Sequence, residues 1–186
     1  DVWLLDDRGK AKGKGEVIVR LYGAKLQKVA ERSIYFESKG EKNRQLVSLE
    51  LPVPEKEHIP LLLVLDLRRD GELITRNYYW FNFREEPGCL FRLPKTRLSA
   101  HLEGDILFVK NIGNLPAIGV HISAPLSSDC LRCEDGYFWL DPNEEERIRL
   151  GVMTNVAGER NEPKDIQVQA WNAEPVSVSG SSPDDG

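Results

Sequence analysis

The chain has 186 residues, 40% of them hydrophobic and 30% charged, and a formal net charge of −5. That balance can bury a core and excludes a disordered polymer. Lys and Arg are scattered among Asp and Glu, so no basic surface is offered to a phosphate backbone and nucleic acid is excluded as a partner.

The opening Asp1-Val2-Trp3-Leu4-Leu5 enters a strand pattern at once, with neither an initiator Met nor the basic and apolar regions of a signal peptide. It reads as the start of a piece cut from a longer protein, which leaves localisation open. Strand-like runs follow at 2–5, 16–22, 27–37, 45–51, 60–67 and 73–83, rich in Val, Ile, Leu and aromatics. Several alternate, as in Val17-Ile18-Val19-Arg20-Leu21, where every second side chain faces a core. Turn signals separate them at Asp6-Asp7-Arg8-Gly9, 13–15 (Gly-Lys-Gly), Ser38-Lys39-Gly40, Pro52-Val53-Pro54 and Arg69-Asp70-Gly71. The longest apolar run, 59–65, contains Pro60 and falls well short of the roughly 20 residues of a membrane-crossing helix, so no membrane partner is expected.

The pattern lapses at Arg84-Glu85-Glu86-Pro87-Gly88, a charged connector suited to a domain boundary. Strand-like runs resume at 97–102, 106–111, 117–124, 137–140, 147–152 and 166–171, and only 143–147 shows a brief helical spacing. The expectation is an all-β protein of two consecutive immunoglobulin-like antiparallel β-sandwich domains, 1–86 and 87–173, with a disordered tail at 174–186 made of Ser, Gly, Pro and Asp.

Candidate chemistry is sparse. Cys130-Leu131-Arg132-Cys133 is half of a zinc site, which would need Cys89 or one of His58, His101 and His121 to converge on it; the plainer reading is loop thiols. Three cysteines cannot all pair within one chain, which leans towards a reducing, cytoplasmic setting. Glu85-Glu86 and Glu144-Glu145-Glu146 are dense in acid, yet successive strand side chains point to opposite faces, so they read as solvated turn charge. No catalytic, cofactor-binding or metal-binding residue is assigned, and no cofactor is expected. The aromatic clusters Tyr78-Tyr79-Trp80-Phe81 with Phe83, and Tyr137-Phe138-Trp139, must each place one set of rings in a core. The other set is left for packing at an interface or for stacking against an oligosaccharide.

Three segments carry a resemblance. Residues 73–81, Leu-Ile-Thr-Arg-Asn-Tyr-Tyr-Trp-Phe, resemble a Ser-x-Asn-x-Tyr-x-Phe strand. Leu90-Phe91-Arg92-Leu93-Pro94-Lys95 is similar to a Pro-Lys passage between domains. The run 134–144, through Tyr137-Phe138-Trp139-Leu140-Asp141-Pro142-Asn143-Glu144, is similar to an Asp-Asn-Tyr-Phe-x-Leu-x-Pro-Gly-Glu motif, with Gly136 where Asn is usual and Asn143 where Gly is usual. Together they resemble the C-terminal region of β-mannosidases of glycoside hydrolase family 2, a mannosidase Ig/CBM-like domain followed by a final Ig-like domain. The resemblance implies non-catalytic accessory domains that brace a catalytic barrel lying upstream in the same polypeptide. It further implies a parent that removes terminal β-D-mannose with retention, and no catalytic residue within this chain. The alternative is a carbohydrate-binding module for manno- or glucosamino-oligosaccharides.

Overall fold

Alternation of apolar and polar side chains dictates the architecture: the computed structural model is built of β-strands, with no α-helix among the described residues, which are 1–6, 12–50, 61–81, 92–124, 131–133, 136–152 and 166–178. The chain divides into two compact units, Asp1–Cys89 and Leu90–Gly186. All strand pairings are antiparallel, so the expected all-β, immunoglobulin-like class holds.

The first unit contains β1 (Val2–Leu5), β2 (Lys12–Tyr22), β3 (Lys28–Lys39), β4 (Asn43–Val47), β5 (Leu61–Arg69) and β6 (Glu72–Phe81). A four-stranded sheet ordered β3-β2-β5-β6 faces the two-stranded pair β1-β4. Val17, Val19 and Leu21 of β2 and Leu61 and Leu63 of β5 pack with Val2 of β1, and Ile34, Phe36, Leu46, Leu65 and Phe81 close the cluster. These are every second residue of their strands, which is why the 17–21 alternation is legible from sequence. Asp70 and Gly71 join β5 to β6 with φ of 51° and 86°, the pair of left-handed residues that a tight hairpin matching the strand twist demands.

The turn expected at 13–15 is not a turn, because β2 runs straight through it. A Cβ on Gly15 would lie 2.6 Å from the Phe36 ring, so the glycine is there to let that ring reach the core.

The second unit contains β7 (Leu98–Glu103), β8 (Ile106–Asn111), β9 (Ala117–Ser123), β10 (Leu131–Cys133), β11 (Phe138–Leu140), β12 (Glu145–Val152), β13 (Ile166–Ala170) and β14 (Ala173–Val178). Two sheets, ordered β10-β12-β8-β7 and β11-β9-β13-β14, enclose a core of Leu107, Val109, Ile148 and Leu150 from one side and Val120, Leu140, Ile166 and Val168 from the other. Two expectations change here. The run 143–147 is not helical: Asn143 ends a turn with φ of 65°, and β12 starts at Glu145. The tail expected from 174 does not begin there either, because β14 pairs with β13 and seats Val178 in the core. Pro175 is tolerated because β14 is an edge strand, where a missing N–H breaks no ladder.

Two fully buried asparagines fasten the turns at one end of this sandwich. Asn111 Nδ2 donates to the carbonyls of Leu115 at 2.8 Å and Leu140 at 3.1 Å, while its Oδ1 accepts from Gly113 N at 3.0 Å and Thr96 Oγ1 at 3.0 Å. Asn172 Oδ1 accepts from Ile118 N at 3.0 Å, and its Nδ2 donates to the carbonyls of Pro116 at 2.9 Å and Pro94 at 3.1 Å. Each amide therefore satisfies main-chain groups that the strand ends leave over, and such groups stranded away from water cost roughly 1–3 kcal/mol apiece. Asn111→Ala is expected to destabilise the second unit by about 3 kcal/mol in chemical denaturation, against under about 0.5 kcal/mol for exposed Asn77→Ala.

Candidate functional site

Side chains not spent on the cores form the second faces of the sheets, where function can reside. In the first unit a charge falls inside the central run of each of three strands: Arg20 within 17–22 of β2, Asp66 within 61–67 of β5 and Arg76 within 73–81 of β6. The register sets Asp66 directly opposite both Ile18 and Arg76, one pleat along from Arg20 on the same face. Asp66 Oδ2 accepts from Arg20 Nη2 at 2.8 Å, and Asp66 Oδ1 from Arg76 Nε at 2.6 Å. Arg20 Nη1 also donates to the Tyr22 hydroxyl at 3.1 Å. All three charged side chains are at most 10% exposed, so the interaction is charge-assisted and little screened. A carboxylate clasped by two guanidinium groups is a structural tie and has no free edge with which to take a proton from a substrate.

The acidic pairs read from sequence do not assemble a catalytic pair. Glu144 folds back so that its Oε2 accepts from Asp141 N at 2.7 Å, while Trp139 Nε1 donates to Asp141 Oδ1 at 2.9 Å. Glu145 and Glu146 stand opposite Lys110 and Val109 on β12 and therefore point to opposite faces of it. Glu85 and Glu86 lie outside the described residues. The motif at 137–144 is thus a turn held by its own side chains. Asn143 occupies the left-handed conformation that glycine shares.

Of the metal candidates, His58, Cys89 and Cys130 lie outside the described residues, and Cys133 sits on β10 opposite Leu150. His101, on β7, stacks on Phe108 with ring centroids 4.8 Å apart. His121, on β9, places Nδ1 3.2 Å from the Gly119 carbonyl and its ring 5.1 Å from that of Tyr137. The two histidines stand on the outer faces of opposite sheets, so the sandwich core separates them. Among the described residues no group of three or more His, Cys, Asp or Glu is placed to hold a metal ion. No helix of the described residues is long and apolar enough to cross a membrane.

Phe83 lies outside the described residues, and the other members of the aromatic clusters divide as alternation requires. Phe81 joins the core, while Tyr78 and Trp80 lie half-buried on the face that carries Asp66, and Tyr79 stays exposed on the edge strand. Phe138 is buried in the second core and Trp139 is buried on the outer side of the same sheet. Tyr137 is 60% exposed. Trp171, which no motif had singled out, lies against Gly119: a Cβ there would come within 2.7 Å of the indole. Gly119 adopts φ of 61° at a break in the β9–β11 register, and an isolated glycine inside an apolar strand is the sequence signal for such a close approach. On β1, Trp3 and Leu5 are 53% and 68% exposed, while Val2 faces the core.

Residues 1–83 match the family model described as the Mannosidase Ig/CBM-like domain. This bears out, over the first unit, the resemblance to a mannosidase Ig/CBM-like domain that the run at 73–81 carries. No curated protein matches the chain. Among solved structures, the exo-chitosanase of Amycolatopsis orientalis superimposes on 92% of the chain with a TM-score of 0.68 at 15% identity. The β-D-mannosidase of Dictyoglomus thermophilum does so over 92% with a TM-score of 0.53 at 15% identity. The chain spans 24% of the first enzyme's length and 20% of the second's. At that identity the likeness is one of fold.

Removing the central carboxylate of the first unit leaves two guanidinium groups facing each other away from water. Asp66→Ala is expected to cost about 3–5 kcal/mol of stability, read as a lower denaturant midpoint for the first unit's transition.

Proposed function

We propose that the two sandwiches are the non-catalytic accessory region of a β-mannosidase-like retaining glycoside hydrolase, and that they brace its catalytic barrel. The observation that carries this reading is the match of residues 1–83 to the family described as the Mannosidase Ig/CBM-like domain. Two further observations support it. The fold likeness to a solved exo-chitosanase extends over 92% of this chain. Trp3 and Leu5 present apolar surface on β1, of the kind that a neighbouring domain would cover. The family description points to mannose as the sugar removed by the parent, and the exo-chitosanase likeness makes β-linked glucosamine the competing one.

The chemistry of retention needs two carboxyl groups roughly 5 Å apart flanking the scissile bond. Asp66 is committed to two arginines and Glu144 to a turn, so neither serves. The purified chain is therefore expected to release no nitrophenol from aryl β-mannoside or aryl β-glucosaminide above a buffer blank. Release that scales with protein and is blocked by a mannosidase inhibitor would overturn the accessory reading.

A further inference from the structure

We infer that the outer face of the β11-β9-β13-β14 sheet in the second unit is a binding platform for a short neutral oligosaccharide. Core packing by Val120 and Ile122 of β9 turns His121 and Ser123 outwards, and core packing by Ile166 and Val168 of β13 turns Gln167 and Gln169 outwards. The register then sets Gln169 opposite His121 and Gln167 opposite Ser123 on one side and Ser177 of β14 on the other. Tyr137 completes the row, its ring 5.1 Å from that of His121 and 60% of the residue exposed. The result is an aromatic ring at one margin of a two-row grid of amides, hydroxyls and an imidazole. Adjacent strands lie about 4.8 Å apart, so the four-stranded face extends roughly 14 Å, enough for a short oligosaccharide laid across the strands.

The chemistry of this surface selects its ligand. None of these six side chains is an acid, a lysine or an arginine, so the grid has no means of attracting phosphate, sulfate or a charged peptide. It lies on a sheet face and exposes no unpaired backbone, which removes strand addition as a mode. A protein partner would be met by an exposed apolar centre with Trp, Tyr or Arg anchors, whereas here Trp139 is buried and the exposed Tyr137 ring borders polar groups. A polyol fits: its apolar ring face stacks on Tyr137, and its hydroxyls both donate and accept.

The amides are held ready for this task. Gln169 Nε2 lies 3.3 Å from Ser123 Oγ and 3.5 Å from Gln167 Oε1, which fixes their orientation. Among the described residues no bond is made by Gln169 Oε1 or by the Gln167 amide nitrogen, so one acceptor and one donor face outwards together. Nδ1 of His121 lies 3.2 Å from the Gly119 carbonyl, which leaves Nε2 as the ring nitrogen available to a hydroxyl.

The test is a heteronuclear NMR titration of the whole chain with mannobiose and, separately, the neutral N-acetylated chitobiose, to millimolar concentration, following the side-chain amides of Gln167 and Gln169 and the backbone signals around Tyr137. Saturable shifts confined to this face are expected. They should weaken at least about tenfold in Tyr137→Ala, which truncates an exposed ring, and in Gln169→Ala, and persist in the control Tyr35→Ala, which alters an exposed ring of the first unit. Unmoved signals from the folded chain would overturn the inference, as would shifts that centre on the first unit. Binding of a sulfated disaccharide in preference to the neutral one would overturn the neutral-ligand assignment. None of these outcomes bears on the accessory reading, which rests on the first unit and on catalytic inactivity.

Discussion

A strand must send successive side chains to opposite faces of its sheet, and most features of this protein follow from how its second rows are used. In the first unit, Val17, Val19 and Leu21 leave Ile18, Arg20 and Tyr22 on the reverse side. A sheet whose reverse side is also withdrawn from water cannot carry lone charges there. Asp66 resolves the conflict by engaging Arg20 and Arg76 together, with Tyr22 accepting a further guanidinium proton. Such an ion cluster adds little net stability compared with apolar packing, yet it penalises any register that separates its members. A one-residue slip of β5 would drive Asp66 into the core, so the cluster reinforces the pairing of three strands.

The second unit meets a different demand, the closure of its strand ends. Asn111 and Asn172 act as backbone substitutes, each presenting a donor and an acceptor at fixed geometry to turns that are distant in sequence. Gly113 belongs to the same arrangement, since a Cβ on it would lie within 2.1 Å of Thr96 Oγ1. With its turns fastened in this way, the unit holds the β11-β9-β13-β14 face in a fixed shape, which is what a binding platform requires.

Strand alternation made most of the architecture legible in the sequence. The runs at 2–5 and 106–111 recur with the same limits, because apolar residues at every second position have no other way to reach one core. What was missed has identifiable causes. β14 reads as tail because Glu174, Pro175 and Ser177 dilute a short alternation, and an edge strand tolerates them. The glycines at 13 and 15 signal a turn by composition, but Gly15 serves the packing of the Phe36 ring across the sheet, a tertiary contact invisible to a local reading. Asn111 and Asn172 look like ordinary strand-end residues, and only the three-dimensional convergence of turns shows their role. The Arg20–Asp66–Arg76 cluster did leave a signal, one charge within each of three apolar runs. The outward row of His121, Ser123, Gln167 and Gln169 left none stronger than the polar half of two alternating strands.

Under the accessory reading proposed above, the chain contributes form and surface to a glycosidase whose chemistry is done elsewhere in the polypeptide. Asp66 and Glu144 are committed to folding contacts, the first unit carries the family match, and β1 presents Trp3 and Leu5 outwards. The most direct measurement is thermal unfolding of the proposed parent enzyme with and without this chain, followed by catalytic activity on an aryl glycoside. A bracing role predicts that removing the chain lowers the inactivation midpoint by at least about 4 °C, the shift that corresponds to 1 kcal/mol or more for a domain. An unchanged midpoint with unchanged activity would contradict it.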